Sequence, residues 1–373
     1  MSRQLLLAAT LLAATTLTSA AQAQIAAVAI DRKLINTDGR TMPAQNPKPD
    51  SVMFLDTSSF PPKVLGEVEA PTTAGGPPAT VAVYKDDSMA IVTGGPAQAV
   101  TLVDLTGGKP KVVDQVKGGV GCAGVSFTPD GKMALVANRG EGTVSVFAID
   151  NLKLKLLDTV TMGDTSVSPS FAAVSPDGKV ALVTEDANNA VAILDIDGQK
   201  VTARPGLLTT GVHPYNLDFS PDGRLAVVGN MGRAVGDDDT VSLIDMTADP
   251  IRTVNTISVD GVEPEAVMFS PDGKYLIVGL QDGSQMPADS SFYHDGGQLQ
   301  IYAVNGHDLK LLDKARIGHW TQGAVFSADG SKIYVQSMRE GDIQIFDWDG
   351  TTLKDTGQHI DLKGGGAAMQ TSY

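Results

Sequence analysis

The sequence predicts an all-β fold, a seven-bladed β-propeller of four-stranded antiparallel blades. Three observations lead to this prediction. A fourteen-residue unit recurs six times without internal gaps, at spacings of 44, 47, 45, 50 and 57 residues. Each unit has the alternating apolar pattern of short strands, and not the pattern of a helix. Glycine is abundant, at 40 of 373 residues, which suits many short strands joined by tight turns.

The repeated unit combines two strands with a Pro-Asp-Gly turn. In the unit VSFTPDGKMALVAN, an apolar strand ends at Phe127, the turn follows, and a second apolar strand begins at Met133. Proline fixes φ, aspartate caps the turn, and glycine accepts a positive φ. An alternating third strand and a more variable fourth strand follow each unit, which completes a blade. The six units span residues 81–94, 125–138, 172–185, 217–230, 267–280 and 324–337.

The two ends of the chain supply the seventh blade. A further third-strand pattern lies at residues 51–58, with a fourth strand at 64–70 and a second strand at 26–31. This blade lacks an innermost strand, and residues 366–373 offer one. The predicted closure therefore joins three N-terminal strands to one C-terminal strand, which removes the open edges of the ring.

Residues 1–23 have the features of a secretory signal peptide. Arg3 supplies a positive start, residues 5–16 are small and apolar, and Ala21-Gln22-Ala23 is a small-x-small cleavage site. A buried N-terminal helix is the alternative. Cleavage would leave residues 24–373 as one propeller domain, periplasmic or secreted. No cysteine follows the apolar run, so a lipoprotein anchor is not expected, and no later apolar run reaches membrane-spanning length.

Composition narrows the classes of partner. The formal charge is −15, and an acidic surface repels phosphate backbones, so nucleic acid is not an expected partner. Cys122 is the only cysteine, which excludes a disulfide within the chain and a C-x-x-C-H haem site. We expect Cys122 to be a small buried residue rather than a reactive thiol. The sequence predicts no cofactor and no metal, and a monomer is expected.

The candidate site lies where the chain enters the inner strands. These entries, and the loops joining second to third strands, share one face around the channel of a propeller. One entry position reads Pro77, Gly121, Ser168, His213, Glu263 and Trp320 in blades one to six. Large or polar groups gather in blades four to six. We therefore predict a binding pocket at the channel mouth, lined by His213, Tyr215, Glu263, Glu265, His319 and Trp320.

Long loops mark the same face. Residues 231–239 and 281–297 join the second and third strands of blades four and five, and residues 32–50 do so in blade seven. Long loops in compact domains are often functional, so we expect the loops of blades four and five to cover the pocket in part. Imidazole and carboxylate groups together can bind a divalent metal or a cationic ligand, or exchange protons. The alternative is that these polar side chains only fill a wet channel.

The sequence does not support several common binding and catalytic motifs. Gly119, Gly121 and Gly124 match the dinucleotide fingerprint, but a strand and not a helix follows them, which indicates a glycine-rich blade entry. The acidic run at 237–239 lacks the spacing and closing glutamate of an EF-hand. No G-x-S-x-G elbow, H-E-x-x-H pair or P-loop is present.

The phrases FSPDG, ALVAN and TVSVFAID resemble the YVTN-type repeat of bacterial seven-bladed propellers. Lactonase-like propellers and the heavy chain of methylamine dehydrogenase share that broad pattern. The resemblance covers nearly all of residues 24–373. It implies the fold and says little about activity, because one propeller scaffold hosts many functions.

The lactonase resemblance is incomplete at the site. That family tends to show a His-Pro-His entry in one blade and a Gly-Pro-Arg-His entry in a later one. Here the corresponding entries are His213-Pro214-Tyr215 and Glu263-Pro264-Glu265. An arginine at the second entry could hold a carboxylate or an oxyanion, which a glutamate cannot do. The resemblance therefore does not carry lactonase activity over to this chain.

Three functions remain open at this stage. The first is a non-enzymatic module that binds a small ligand or a protein partner through the loop-rich face of blades four to six. The second is a hydrolase or isomerase of lactone-like substrates, with His213 or His319 as the base. The third is the propeller subunit of a periplasmic oxidoreductase, whose partner would carry the cofactor.

Overall fold

Seven four-stranded antiparallel sheets make up the fold in a computed structural model. The structure describes residues 24–37, 39–70, 80–233, 235–236 and 239–372. The predicted signal peptide, Pro77, Asp237 and Asp238 lie outside these residues. Within the described ranges, helix is limited to one 3-10 turn, Asp186–Asn188, and no helix is long and apolar enough to span a bilayer.

Blades one to six each use four consecutive strands, paired in chain order from the channel outwards. The strands of blades one to three are Thr80–Val83, Met89–Gly94, Ala99–Asp104, Lys111–Lys117; Cys122–Phe127, Met133–Asn138, Thr143–Asp150, Lys153–Thr161; and Pro169–Val174, Val180–Glu185, Ala190–Asp197, Lys200–Thr209. Those of blades four to six are Pro214–Phe219, Leu225–Asn230, Thr240–Asp245, Arg252–Ser258; Pro264–Phe269, Tyr275–Leu280, Gln298–Asn305, Asp308–Arg316; and Gly323–Phe326, Lys332–Ser337, Asp342–Trp348, Leu353–Asp361.

Blade seven is shared by the two ends of the chain, which confirms the predicted closure. Its inner strand is the C-terminal Gly365–Thr371, followed outwards by Ile25–Asp31, Ser51–Asp56 and Lys63–Glu69. The inner strand contacts those of blades six and one, so the seven inner strands form a closed ring. The C-terminal strand pairs with the edge of Ile25–Asp31 that would otherwise be the unpaired inner edge of the blade.

The apolar core is divided among layers between neighbouring blades. Side chains alternate across a strand, so one strand serves two layers. In blade two, Ala134 and Val136 pack toward blade one, whereas Met133, Leu135 and Ala137 pack toward blade three. Each second strand is therefore buried on both faces, which explains its uninterrupted apolar sequence.

The Pro-Asp-Gly turns define the lower face of the ring. In blade two, Oδ1 of Asp130 accepts hydrogen bonds from the Thr128 hydroxyl (2.7 Å) and the Lys132 backbone N–H (3.1 Å). Gly131 has φ of 68°, which a side chain would strain. The opposite, upper face carries the inner-strand entries and the second-to-third-strand loops.

The three long upper loops touch one another in series, and we call them the canopy. The blade-seven loop contains a hairpin, Leu34–Thr37 with Arg40–Pro43. Gly39 at its tip lies directly on the backbone of Met286 in the blade-five loop, and Gly236 of the blade-four loop lies on the ring of Phe292. The canopy therefore joins blades four, five and seven above the ring.

Candidate functional site

One backbone geometry recurs at the entries that the sequence singled out. The entry residue has a positive φ in each of the described blades two to six, and its carbonyl accepts the N–H of the residue that follows the second strand. The Met231 N–H, for example, donates to His213 O at 2.9 Å. The φ angles are 66° at Gly121, 52° at Ser168, 58° at His213, 59° at Glu263 and 55° at Trp320.

This geometry is strained for residues other than glycine. The left-handed region costs an L-residue about 1–2 kcal/mol, and such strain tends to be concentrated at functional sites. A glycine at His213, Glu263 or Trp320 would relieve the strain but remove a side chain from the channel mouth. The retained side chains are therefore candidates for function.

An ion-pair group surrounds Asp186, which follows the second strand of blade three. Its Oδ2 lies 2.8 Å from Nη2 of Arg139 and 3.2 Å from Nε2 of His213, and its Oδ1 lies 3.6 Å from Nη1 of Arg233. Burial raises the pKa of Asp186, but His213, Arg139 and Arg233 outweigh it and hold that pKa below its ordinary value. Asp186 is thus a fixed anion that positions three basic groups from blades two and four.

Tyr215 packs within this group. The Arg139 guanidinium carbon lies 5.1 Å from the centroid of the Tyr215 ring, a cation–π arrangement, and His213 meets the same ring edge-on at 5.8 Å. Burial, and then the charge of Glu265, raise the pKa of the Tyr215 hydroxyl. Tyr215 therefore remains a neutral hydrogen-bonding group.

Glu263 and Glu265 supply two buried carboxyls from blade five. Glu265 is 4% exposed and accepts a hydrogen bond from the Gln281 side-chain amide. Burial raises the pKa of Glu265 to about 8, with a further rise from Glu263. Burial also raises the pKa of Glu263, which accepts from the Gln285 amide. Near pH 7, Glu265 is mostly a protonated acid that can donate a hydrogen bond.

His319 and Trp320 belong to a separate group over blades five and six. His319 Nδ1 lies 2.6 Å from Glu340, and its Nε2 lies 3.1 Å from Asp295. The backbone N–H of Trp320 donates a hydrogen bond to the Ser284 hydroxyl at 2.9 Å. The structure therefore brings His213 and Tyr215 together around Arg139 and Asp186. Glu263 and Glu265 form a neighbouring carboxyl pair, and His319 and Trp320 have partners of their own.

A cavity of about 510 Å³, the upper cavity, opens at this mouth of the channel. Of the six predicted residues, Tyr215 and Glu265 line it, and the other four do not. No described canopy residue lines it either. Most of its lining comes from blades one to three and includes Gly95, Gly121 and Gly124. Its other polar lining includes Arg139, Ser170, Asn216 and Gln322.

The main residues that the sequence analysis missed share one position. Arg139 and Asp186 each follow directly after a second strand, in loops too short to draw attention. The position was available as a signal, because it is the one held by the left-handed entry residue of the same blade. The position directly after each second strand therefore indicates site residues better than the length of the loop does.

Two minor interpretations are confirmed. The strand Cys122–Phe127 follows the glycines at 119 and 121, so this motif is a blade entry. Cys122 is fully buried, its thiol contacts the carbonyl oxygens of Gly94 and Ala99 at 3.4 Å each, and burial raises its pKa to about 11. Among the described residues, no three His, Cys, Asp or Glu side chains are arranged to hold a metal.

Glu265→Gln should change how stability depends on pH. Because the pKa of Glu265 is about 8 when folded and 4.5 ordinarily, the folded protein keeps a proton that the unfolded chain has lost. Wild-type stability therefore falls as pH rises between these values, by about 1.4 kcal/mol per unit of pKa difference. Glutamine does not titrate. In urea unfolding, the free energy of unfolding of E265Q relative to wild type should therefore increase from pH 5 to pH 9.

The exposed Glu69 of blade seven supplies the control for this prediction. Glu69→Gln should shift the free energy of unfolding by a similar small amount at both pH values. Parallel pH curves for E265Q and wild type would contradict the proposed burial of a protonated Glu265.

Comparisons with known proteins agree with the architecture. Residues 66–207 match the model of the YNCE-like beta-propeller family. No curated protein matches the sequence. A protein from Bacteroides uniformis, provisionally described as a 6-phosphogluconolactonase, has a TM-score of 0.72 at 17% identity, over 94% of this chain and 99% of that one.

Two further solved structures are similar. The periplasmic gluconolactonase of Pseudomonas aeruginosa has a TM-score of 0.67 at 18% identity, over 93% of this chain and 99% of that one. The hydrazine synthase of Kuenenia stuttgartiensis has a TM-score of 0.61 at 24% identity, over 73% and 77%. At such identities the likeness concerns the fold alone. Together with the strand order, these matches establish a seven-bladed β-propeller of the architecture seen in lactonase-like proteins, with a YNCE-like segment from the outer strand of blade seven into blade three.

Proposed function

We propose that this protein is an exported propeller that binds a small hydroxycarboxylic acid in the upper cavity. The observation that carries the proposal is Arg139, a cationic residue that lines the cavity of a chain with net negative charge. Asp186 bonds its Nη2, and a guanidinium has five N–H donors, so donors remain for a ligand carboxylate.

The other polar groups of the cavity suit hydroxyl groups. Glu265 is mostly protonated near pH 7 and donates, while Tyr215, Asn216 and Gln322 can donate or accept. Phe171 and Val120 supply apolar wall. A volume of about 510 Å³ lies within the usual range of roughly 300–1,000 Å³ for small-molecule sites.

His319 favours binding over histidine-based hydrolysis. It has acceptors at both nitrogens, Glu340 and Asp295. A general base needs a nitrogen free to take a substrate proton, and both nitrogens of His319 already face an oxygen. His213 Nδ1 lies 3.1 Å from Gly232 O, whereas its buried Nε2 lies 3.2 Å from Asp186 and makes no hydrogen bond with the described residues.

Calorimetric titration with gluconate, gluconolactone and sorbitol tests this function at pH 7. Gluconate should bind at least tenfold more tightly than sorbitol, because only gluconate carries a carboxylate for Arg139. Equal affinities, or no gluconate binding, would reject the proposal. The titration should use protein exported from cells, whose intact mass would also show whether residues 1–23 have been removed.

Lactone hydrolysis is the second candidate, with Glu265 rather than a histidine as the acid–base group. It is favoured by a buried carboxyl of pKa about 8 on the wall that also holds Arg139, a group able to stabilise an oxyanion. In pH-stat assays such an enzyme would open gluconolactone faster than buffer, at a rate that rises through pH 8 and is lost in E265Q. A wild-type rate equal to the buffer rate would exclude it.

A further inference from the structure

A second cavity, the lower cavity, opens at the opposite mouth of the channel. It encloses about 380 Å³ and lies among the Pro-Asp-Gly turns. Its walls are mostly apolar, with aromatic residues from blades one to five and turn prolines from blades two to four. The aromatic residues are Tyr84, Phe127, Phe171, Phe219 and Phe269. Phe171 also lines the upper cavity, so its ring lies between the two.

One carboxylate lies in this apolar wall. Asp218 occupies the second position of the fourteen-residue unit, where the other five units have small or apolar residues and one serine. Among the described residues, Asp218 and Lys85 are the charged groups that line the cavity, and Lys85 is exposed at the rim. No described cation is among the groups that set the pKa of Asp218. Within the described part of the chain, the Asp218 carboxyl therefore has no cationic partner.

The link between blades does not require a charge at this position. Oδ2 of Asp218 accepts the Phe269 backbone N–H of blade five at 2.8 Å. In blade two, the equivalent Ser126 makes the same link with a neutral hydroxyl, accepting the Val174 N–H at 3.0 Å. A serine would serve the fold equally well, and an unpaired carboxylate in apolar surroundings is costly. The charge therefore needs another explanation.

We propose that the lower cavity binds a small organic cation, a protonated amine with an apolar body, through Asp218 and the surrounding aromatic rings. The ammonium group would pair with the carboxylate, and the faces of Tyr84 and Phe127 attract cations. The proline and phenylalanine walls would take the apolar body. A divalent metal is a poorer fit, because it requires several oxygen ligands.

Binding should strengthen as pH rises through neutrality. Burial raises the pKa of Asp218 to about 7, so the group is neutral below and anionic above that value. Lys85 is exposed at the rim. Burial, then Asp86 and Asp130, raise the pKa of Tyr84, which stays neutral. Asp218 is thus the lining group whose charge changes near pH 7.

The test is to titrate the protein with benzylammonium at pH 6 and at pH 8 and to measure the affinity by calorimetry. Affinity should be at least tenfold higher at pH 8, and benzyl alcohol, the neutral analogue, should bind at least tenfold more weakly than benzylammonium. Asp218→Asn should abolish the preference for the cation. Asp218→Ser, which copies blade two, should do the same and provides a second variant if D218N folds poorly.

The outcomes separate this site from the upper cavity. Arg139→Met should leave benzylammonium affinity unchanged, and D218N should leave gluconate affinity unchanged. Equal binding of benzylammonium and benzyl alcohol, no benzylammonium binding at pH 8, or unaltered cation preference in folded D218N or D218S would each overturn the proposal. Failure of gluconate binding would not affect it.

Discussion

Deleting residues 366–373 should leave a protein that no longer unfolds in a single cooperative transition. This segment forms most of the inner strand of blade seven, pairs with Ile25–Asp31, and contacts the inner strands of blades six and one. It buries Ala367, Ala368 and Met369. Loss of one buried methionine alone costs about 2–5 kcal/mol, against a total stability of about 5–15 kcal/mol.

The measurement is thermal and urea unfolding followed by circular dichroism. A synthetic peptide of residues 363–373, added in excess, should restore the transition by supplying the missing strand, as in strand addition to other sheet edges. A scrambled peptide is the matched control. A truncated protein that melts like the full chain would show that the ring does not depend on this closure.

Arg139→Met should weaken gluconate binding at least tenfold in the proposed upper site. Methionine keeps the unbranched apolar stem but removes the charge that would hold the carboxylate. It also removes the 2.8 Å contact to Asp186, whose side chain is only 13% exposed, so stability should fall by about 2 kcal/mol. Calorimetry measures the first effect and urea unfolding the second.

Arg204→Met is the matched control, because this chain contains a second arginine–aspartate pair. Arg204 bonds Asp195 at 2.6 Å on the outer part of blade three, with side chains 37% and 52% exposed. Exposed pairs contribute about 0–1 kcal/mol, so R204M should be close to wild type in stability and in gluconate affinity. If both variants behaved alike, Arg139 would have no special role at the channel mouth.

The ring of blades was predictable because the local strand and turn patterns of the sequence favour the same structure as the packing between blades. The period-two apolar pattern recurs in every blade from one to six. The Pro-Asp-Gly turn is complete in blades two to five, differs at one position in blade six and at two positions in blade one. The shared blade was also predictable, because the N-terminal segment has only three strand patterns of a four-stranded blade. The missing inner strand could come from the strand pattern at the C-terminal end. What the pattern did not contain was the hairpin within residues 32–50, which is stabilised by contact with Met286 far along the chain.

The site was predictable only in part, because a cavity forms where side chains are small. The sequence analysis followed the large polar residues of blades four to six, and Tyr215 and Glu265 do reach the wall. The rest of the lining includes Gly121 and Gly124, which carry no side chain, and Arg139, which lies in a short loop. Asp218 was hidden within an apparently ordinary repeat, where only a comparison of equivalent positions exposes it.

The shared blade also determines which face of the ring a tag or tether near residues 24 and 372 would occupy. Ala26 pairs with Thr371, so the first and last described residues lie together on the lower face. An affinity tag or a surface tether attached at residue 24 or residue 372 would therefore orient the upper cavity away from the support. Ser372 lines the lower cavity, so the same attachment would crowd that mouth. Tethered protein is thus suited to assays of the upper site, and untethered protein is needed for the lower one.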